Sequence, residues 1–373
     1  MKNNVVVTGF LGYIGFNLTV TLLRLGFNVI GVDKKAENGE VSRFFKTTGF
    51  TCNANFKCFK ADLSNIKETQ DFIAWCKQQK IKAHTIVHLS ADTSITESLR
   101  NPCQVVGNNL LTTYSANLIC HALKCENFVH ANSITEIDCE NNWNPYSWSK
   151  RLSDSVLHSK TLFTDVLYKG VIITNPFGSL VGVERNGNAL EQNIRNCIYG
   201  GSTLKLSVDK DGVYDTRFRR NFISMYELIT VFVYVITKPA CCGYTYVNAG
   251  VVTPENELAN YSVTELAGYF NSFHNMDIQY VNDDSFTRIR TVPANATVQN
   301  NEYELSRSML SDMITIMFDP PKYFNEQQKQ TLQELHNLFN DKLDKLYCQK
   351  IRFDILYKTF ILSQEAINKC CIS

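Results

Sequence analysis

Tyr146 and Lys150 stand four residues apart in Pro145-Tyr146-Ser147-Trp148-Ser149-Lys150, a spacing that puts both on one face of a helix. A free phenol ionises at about pH 10, too high for a base at neutral pH. An ammonium beside it, and the positive nicotinamide of a bound cofactor, would stabilise the phenolate and bring that value down. Such a phenolate could take the proton of a substrate hydroxyl while the carbon bearing it releases a hydride. Lys150 would also hold the nicotinamide ribose. Ser133, just past the apolar run 128–131, could donate to the substrate oxygen as its charge changes and relay the proton toward Tyr146. Each residue also has an ordinary alternative, a solvated helix pair or a serine satisfying strand-end backbone. Their order along the chain, downstream of a glycine turn, favours chemistry.

That turn is Gly9-Phe10-Leu11-Gly12-Tyr13-Ile14-Gly15, directly after the β-branched run 5–8 and before a helical stretch. Strand, glycine turn and helix N-terminus together let backbone N–H groups approach a pyrophosphate, with the helix dipole favouring its charge. Asp33 ends the second strand, 18 residues after Gly15. A carboxylate there accepts both hydroxyls of an adenosine ribose and repels a 2′-phosphate, which selects NAD. Lys34 and Lys35 follow it and soften that selection against NADP. Asp62, in Ala61-Asp62-Leu63 after the third strand, is placed to contact the adenine.

The elements that must position these residues alternate along the first half of the chain. Strands are expected at 5–8, 28–33, 56–59, 85–89, 128–131 and 166–174, with helices at 13–25, 65–79, 103–124 and 146–160. This rhythm, with nearly uninterrupted apolar strands, predicts an α/β, Rossmann-like doubly wound parallel sheet. Residues 1–175 would form it, with return segments at about 215–250 that include an apolar stretch at 225–237 and a strand at 244–247. Residues 176–214 and 251–322 would make a smaller, interleaved substrate-binding lobe. In the remaining 323–373, Leu332, Leu335, Phe339, Leu343 and Leu346 make a stripe at helical spacing, which predicts a helical extension packed on its own molecule.

Composition narrows the class of partner. With 373 residues and 44% apolar side chains, the chain can bury a sizeable core. A net charge of +1 with interspersed signs gives no footprint for nucleic acid. No run of about 20 uncharged apolar residues exists, so no membrane span is expected. The 13 cysteines lack metal-type spacing, and the adjacent pairs Cys241/Cys242 and Cys370/Cys371 make neither a disulfide framework nor a zinc site. Free thiols, and a Met1-Lys2-Asn3-Asn4 start that leads straight into a strand, point to a reducing, cytoplasmic setting. Cys370-Cys371-Ile372-Ser373 fits a prenylation box, a four-residue pattern that also arises by chance.

The chain resembles the extended short-chain dehydrogenase/reductase family, within it the NAD-dependent epimerase/dehydratase group. The resemblance is carried by Thr8-Gly9-Phe10-Leu11-Gly12-Tyr13-Ile14-Gly15, Ala61-Asp62-Leu63, Val87-His88-Leu89-Ser90-Ala91, Asn108-Asn109 and Pro145-Tyr146-Ser147-Trp148-Ser149-Lys150. It implies an NAD cofactor held by Gly9 to Gly15, Asp33, Asp62, Leu63, Leu89, Asn109, Tyr146 and Lys150, with Ser133, Tyr146 and Lys150 catalytic. It further implies a nucleotide-sugar substrate contacted by Ser133, Asn175, Asn188, Arg220 and Arg288, the two arginines clamping the diphosphate bidentately. Epimerisation at C4 of the sugar is the leading chemistry, and a homodimer through two helices of the sheet domain is the implied assembly.

The sequence departs from that pattern in places. Where epimerases carry a run of small hydroxyl residues, this chain reads His130-Ala131-Asn132-Ser133-Ile134-Thr135, and Thr93 replaces a lysine found in some of them. The family's 4,6-dehydratases have Asp-Glu directly after the catalytic hydroxyl. Ile134 and Thr135 stand there instead, and an isoleucine cannot protonate a leaving hydroxyl. A dehydrogenase or reductase using the same triad stays open. So does a hydroxysteroid enzyme, which the arginine pair disfavours, and an NAD-binding protein without catalysis.

Overall fold

Val5 and Val7 pack into one buried cluster and Val6 into another, because successive side chains on a strand leave opposite faces. The computed structural model describes residues 4–48, 55–136, 144–179, 189–208, 219–237, 244–251, 259–282, 326–342 and 345–370. Within them the same division recurs at Val29 and Ile30, Val87 and Ile86, and Val129 and Phe128. A sheet apolar on both faces must be covered on both. One side carries helices α1 (Tyr13–Arg24), α2 (Asn38–Thr48) and α8 (Met225–Thr237), the other α3 (Ile66–Gln78), α5 (Pro102–Ala122) and α6 (Pro145–Lys160).

The sheet comprises β1 (Asn4–Thr8), β2 (Asn28–Asp33), β3 (Phe56–Lys60), β4 (Thr85–His88), β5 (Asn127–Ser133), β6 (Leu167–Ile173) and β11 (Tyr244–Asn248). All pairs are parallel, in the order β11-β6-β5-β4-β1-β2-β3. This is the doubly wound sheet expected from the strand rhythm, and the expected strands and helices appear within about two residues of their bounds. The order reverses between β1 and β4, and it is outside the carboxyl ends at such a point that these folds bind ligands.

The remaining strands are short and form three two-stranded sheets. β7 (Asn175–Phe177) pairs with β10 (Phe222–Ser224), β8 (Leu204–Val208) with β13 (Ile278–Asn282), and β9 (Arg219–Arg220) with β12 (Tyr261–Ser262). With α7 (Ala189–Gly200) and α9 (Val263–Asn271) they enclose a third apolar cluster around Phe177, Phe222 and Phe270.

Helix α8 is apolar around its whole circumference, the mark of a helix with no solvent face, and nearly every residue in it is buried. Helix α1 packs beside it. The extension supplies further cover: Leu332, Leu335 and Phe339 of α10 (Glu326–Lys342), with Ile355 and Leu362 of α11 (Gln349–Cys370), join the same cluster. Leu332, Leu335 and Phe339 belong to the sequence stripe; position 343 and the C-terminal Cys371 to Ser373 lie outside the described residues, as do Cys241 and Cys242. Among the described residues no helix is long and apolar enough to cross a membrane.

At the start of α8, Ser224 and Glu227 cap it reciprocally. The Glu227 N–H donates to Ser224 Oγ at 3.3 Å and the Ser224 N–H to Glu227 Oε2 at 3.0 Å. The same carboxylate receives both arms of Arg352, at 2.6 and 3.0 Å, and Arg352 is 0% exposed. Removing one partner of a buried ion pair strands the other charge. Arg352→Met is therefore expected to lower unfolding free energy by about 3–5 kcal/mol, and Glu227→Gln added to it to restore much of the loss. Denaturant titration of the two variants checks this; equal instability of both would show that charge is not the cause.

Candidate active site

The glycine turn is a packing necessity before it is a binding site. Gly9 has φ +67°, and a Cβ on it would stand 3.0 Å from the Ser90 nitrogen. A Cβ on Gly15 would stand 2.1 Å from the Gly9 carbonyl oxygen, so only glycine lets helix α1 start this close to β1. Phe10 is core, its ring lying where a Cβ on Gly31 would collide. Leu11 donates its N–H to Asp33 Oδ2 at 3.1 Å, and the Lys35 N–H donates to Asp33 Oδ1 at 2.9 Å. The Asp33 carboxylate is thus fixed between the turn and the end of β2.

No side chain caps α1 at Gly12 and no acid occupies its first turn, which suits an anion. A cleft of about 160 Å³ runs beside it, bordered by Gly9, Gly12, Asp33, Asp62, Leu63 and Ser90. Asp62 is held by the N–H and hydroxyl of Ser64, at 2.9 and 2.7 Å. Leu89 donates its N–H to the Thr8 hydroxyl at 3.1 Å, and Ile14 packs against the core. The Tyr13 phenol points the other way, donating to the Gly178 carbonyl and reaching Glu191 at 3.3 Å. A turn that excludes side chains, an uncapped helix start and a fixed carboxylate fit the phosphates and ribose of a dinucleotide.

Ser133 ends β5, and Tyr146 and Lys150 lie on the first turns of α6, which Asn144 caps through a 2.9 Å bond from the Ser147 N–H. The structure brings the three together. The Ser133 hydroxyl neighbours the Tyr146 phenol and favours its ionisation, and Ser133 Oγ meets Thr135 Oγ1 at 2.9 Å. Lys150, 6% exposed, donates from Nζ to the Ala131 carbonyl at 2.8 Å, and burial pulls its ammonium down to about 8. Without cofactor, burial pushes the Tyr146 phenol up to about 12, with the Ser133 hydroxyl opposing and the nearby Glu136 carboxylate adding to the rise; the lowering expected from the sequence invoked the positive nicotinamide as well as the ammonium.

Asn109 ties this triad to the cleft. Its Oδ1 accepts the Asp92 N–H at 2.8 Å, while its Nδ2 donates to the Asp92 carbonyl at 3.1 Å and to Ser149 Oγ at 2.8 Å. Ser149 in turn donates to the Tyr146 carbonyl at 2.7 Å. Beneath lie two stacked histidines, His88 and His130, with ring centroids 5.5 Å apart. Burial, seconded by Lys150, holds both neutral, His88 down at about 3. His88 links Thr8 at 3.0 Å to Thr113 at 3.2 Å and so crosses from β1 to α5.

Three polar residues here escape sequence reasoning. Asp154 accepts from Asn132 Nδ2 at 2.6 Å and from the Tyr246 phenol, and Glu136 stands buried beside them. One available signal was the spacing Tyr146, Lys150, Asp154, which is one helix face.

The substrate-side candidates are less gathered. The Asn175 amide donates to the Asn221 carbonyl at 2.9 Å across the β7–β10 pair. Arg220 lies on β9, half-buried, with one Nη donating to the Arg219 carbonyl at 2.9 Å. Asn188 and Arg288 fall outside the described residues.

Parallel sheet, side-chain-free turn and buried Ser-Tyr-Lys cluster define a dinucleotide-binding α/β protein with a polar reaction centre. The chain belongs to the NAD dependent epimerase/dehydratase family, whose pattern it matches over residues 5–250. It is 26% identical over 168 residues to a UDP-glucose 4-epimerase of Pisum sativum, covering 42% of this chain and 47% of the relative. To UDP-glucose 4-epimerase 1 of Oryza sativa subsp. japonica it is 28% identical over 197 residues, covering 48% and 53%. The chain thus spans about half the length of the curated relatives it matches. Its fold is similar to that of a UDP-glucose-4-epimerase from Stenotrophomonas maltophila with bound NAD and formylated UDP-arabinopyranose (TM-score 0.63, 20% identity, 76% of this chain and 87% of that one). It is also similar to the Bifidobacterium longum UDP-glucose 4-epimerase in complex with NAD+ and UDP (TM-score 0.63, 17% identity, 86% and 100%).

The glycine argument makes a direct prediction. Gly15→Ala must push the Gly9 carbonyl aside, an overpacking cost of about 1–3 kcal/mol, seen as an earlier denaturant midpoint. An unchanged midpoint would show that the turn yields freely.

Proposed function

We propose that this chain is an NAD-dependent nucleotide-sugar epimerase acting at C4 of the sugar. The observation that carries the reading is the buried Lys150, bonded to the Ala131 carbonyl at the carboxyl end of the sheet, with Tyr146 one turn before it on α6 and Ser133 at the end of β5; Asn109 and Ser149 join this group to the loop after β4. Family membership and the names of the relatives support it.

Bound NAD supplies reversible hydride acceptance. Gly9 to Gly15 seat its pyrophosphate, Asp33 its adenosine ribose, and Asp62 and Leu63 border its adenine. Lys150 keeps donors beyond its bond to Ala131, and these hold the nicotinamide ribose. Tyr146 takes the proton of the sugar hydroxyl, Ser133 steadies that oxygen by donating to it, and the same pair returns the proton when the sugar is reduced on its other face. Asn175, Asn188, Arg220 and Arg288 hold the nucleotide diphosphate. The division into an NAD-binding sheet (1–175 with returns at about 215–250) and a substrate lobe (176–214 and 251–322) follows from these roles. Among the described residues no disulfide joins the cysteines, and a cytoplasmic setting belongs to the same reading.

A homodimer is part of the same reading. Leu111 and Tyr114 on α5, with Leu152 and Val156 on the adjacent α6, are 41–48% exposed, an apolar strip that a second copy of the chain would cover.

Purified protein mixed with UDP-, GDP-, CDP- and dTDP-sugars is expected to interconvert a 4-epimer pair without added NAD, and Tyr146→Phe to abolish turnover with cofactor retained. Stoichiometric NAD reduction only on adding NAD would replace the epimerase by a dehydrogenase, and wild-type turnover by the Phe variant would remove Tyr146 from the mechanism. Light scattering should find a dimer that Leu111→Glu with Val156→Glu converts to monomer; a persisting dimer would move the interface elsewhere.

A further inference from the structure

Glu136 has no part in the mechanism above, yet it is the acid closest in sequence to the reacting groups. It closes a single 3₁₀ turn, Ile134–Glu136, that begins one residue after Ser133 and packs against α6. It is 7% exposed, and its Oε2 has no hydrogen-bond partner among the described residues. Among the described residues the groups facing it come from three elements: Asn132 on β5, Tyr146, Lys150, Arg151 and Asp154 on α6, and Tyr246 on β11.

Two carboxyls share this pocket, and they are unequally provided for. Asp154 takes a donor from Asn132 and another from Tyr246, which suits a charge. Glu136 has one oxygen without any donor, which suits a proton.

We propose that Glu136 is a positioning residue for the Tyr146–Lys150 pair, a proton-holding carboxyl whose charge state sets how firmly Lys150 keeps its ammonium and how readily Tyr146 ionises. The proposal rests on Tyr146 acting as the base. Burial and Asp154 push Glu136 up to about 8, the same value to which burial pulls Lys150 down. Each charge acts on the other: the ammonium lowers the carboxyl and the carboxylate raises the ammonium. Once ionised, Glu136 raises both the lysine and the phenol. Its charge secures the cation while resisting formation of the phenolate, so the neutral form is the one that favours proton abstraction.

The test is Glu136→Gln, which keeps shape and removes the charge. Lys150 should then lose its proton, and Tyr146 ionise, at lower pH. The two limbs of the kcat/KM–pH profile then move down together by at least about half a unit. Asp154→Asn should do the reverse: it relieves the repulsion on Glu136, which ionises earlier, and the limbs move up. A second readout needs no turnover. On NAD-loaded protein, phenolate absorbance titrated against a Tyr146→Phe background reports Tyr146 alone, and should shift down in the Gln variant. Loss of activity at all pH values with both limbs and the phenol titration unmoved would overturn the proposal. A shifted titration without epimerase activity would uphold it while overturning the epimerase reading.

Discussion

Lys150 places an ammonium where almost no water reaches it, and much of the polar interior follows from that burial. Removing such a charge from water costs several kcal/mol unless partners replace the solvent. The Ala131 carbonyl supplies one partner, and it can do so because β5 runs on to Ser133 instead of ending where its apolar run ends. The cation then dictates its surroundings. His88 and His130 stay neutral near it, and Glu136 feels its charge. A neutral His88 can bond both Thr8 and Thr113, which fixes the end of β1 to α5. In this way the buried cation also helps align β1 and β4, the two strands that flank the cleft.

The same economy links cofactor side and substrate side. Asn109 spends its amide on the loop after β4 and on Ser149, whose hydroxyl closes on the Tyr146 carbonyl. A shift of that loop would be felt at the phenol through two hydrogen bonds. Tyr13 does comparable work from inside the glycine turn. Its phenol reaches Gly178 and Glu191, and Glu191 also accepts the Gly178 N–H at 2.8 Å and Arg195 at 2.8 Å. One residue of the turn thereby ties the start of α1 to the chain beyond β7.

Legibility in the sequence divided along the range of the interactions. Strands 28–33 and 85–88, helix 13–24 and the glycine turn were readable because their signals, alternation of apolar residues, helical period and turn glycines, are local. Tyr146 and Lys150 were readable because one helix carries both. Glu136 was not, since nothing local distinguishes a buried glutamate from the surface acid it would be by default. Its identity depends on Asp154 and Tyr246, which reach it through tertiary packing. The burial of the phenol was hidden for a related reason: sequence spacing showed an ammonium nearby, but not that Ala131 would bond it or that burial would raise the phenol. Asn175 shows a third case, in which a residue singled out for a ligand is already bonded to the neighbouring strand.

The extension makes the same point at the scale of the fold. Its apolar stripe predicted packing, but the surface it packs on is defined by α8, a hundred residues earlier. A helix with no polar face needs cover on the side away from the sheet as well, so its presence at 225–237 demands a further layer outside it. α10 and α11 contribute to that layer, and Arg352 anchors it by meeting the carboxylate that caps α8. α11 then continues past the sheet domain. Phe353, Leu356 and Phe360 enter the cluster of the smaller lobe, Arg195 lies 4.4 Å above the Phe360 ring, and Thr359 fills the space that a side chain on Gly178 would need. Gly178 is thus fixed from two directions, by Tyr13 of the glycine turn and by α11. Gly178 cannot move without disturbing both, and that coupling gives α11 a hold on α1.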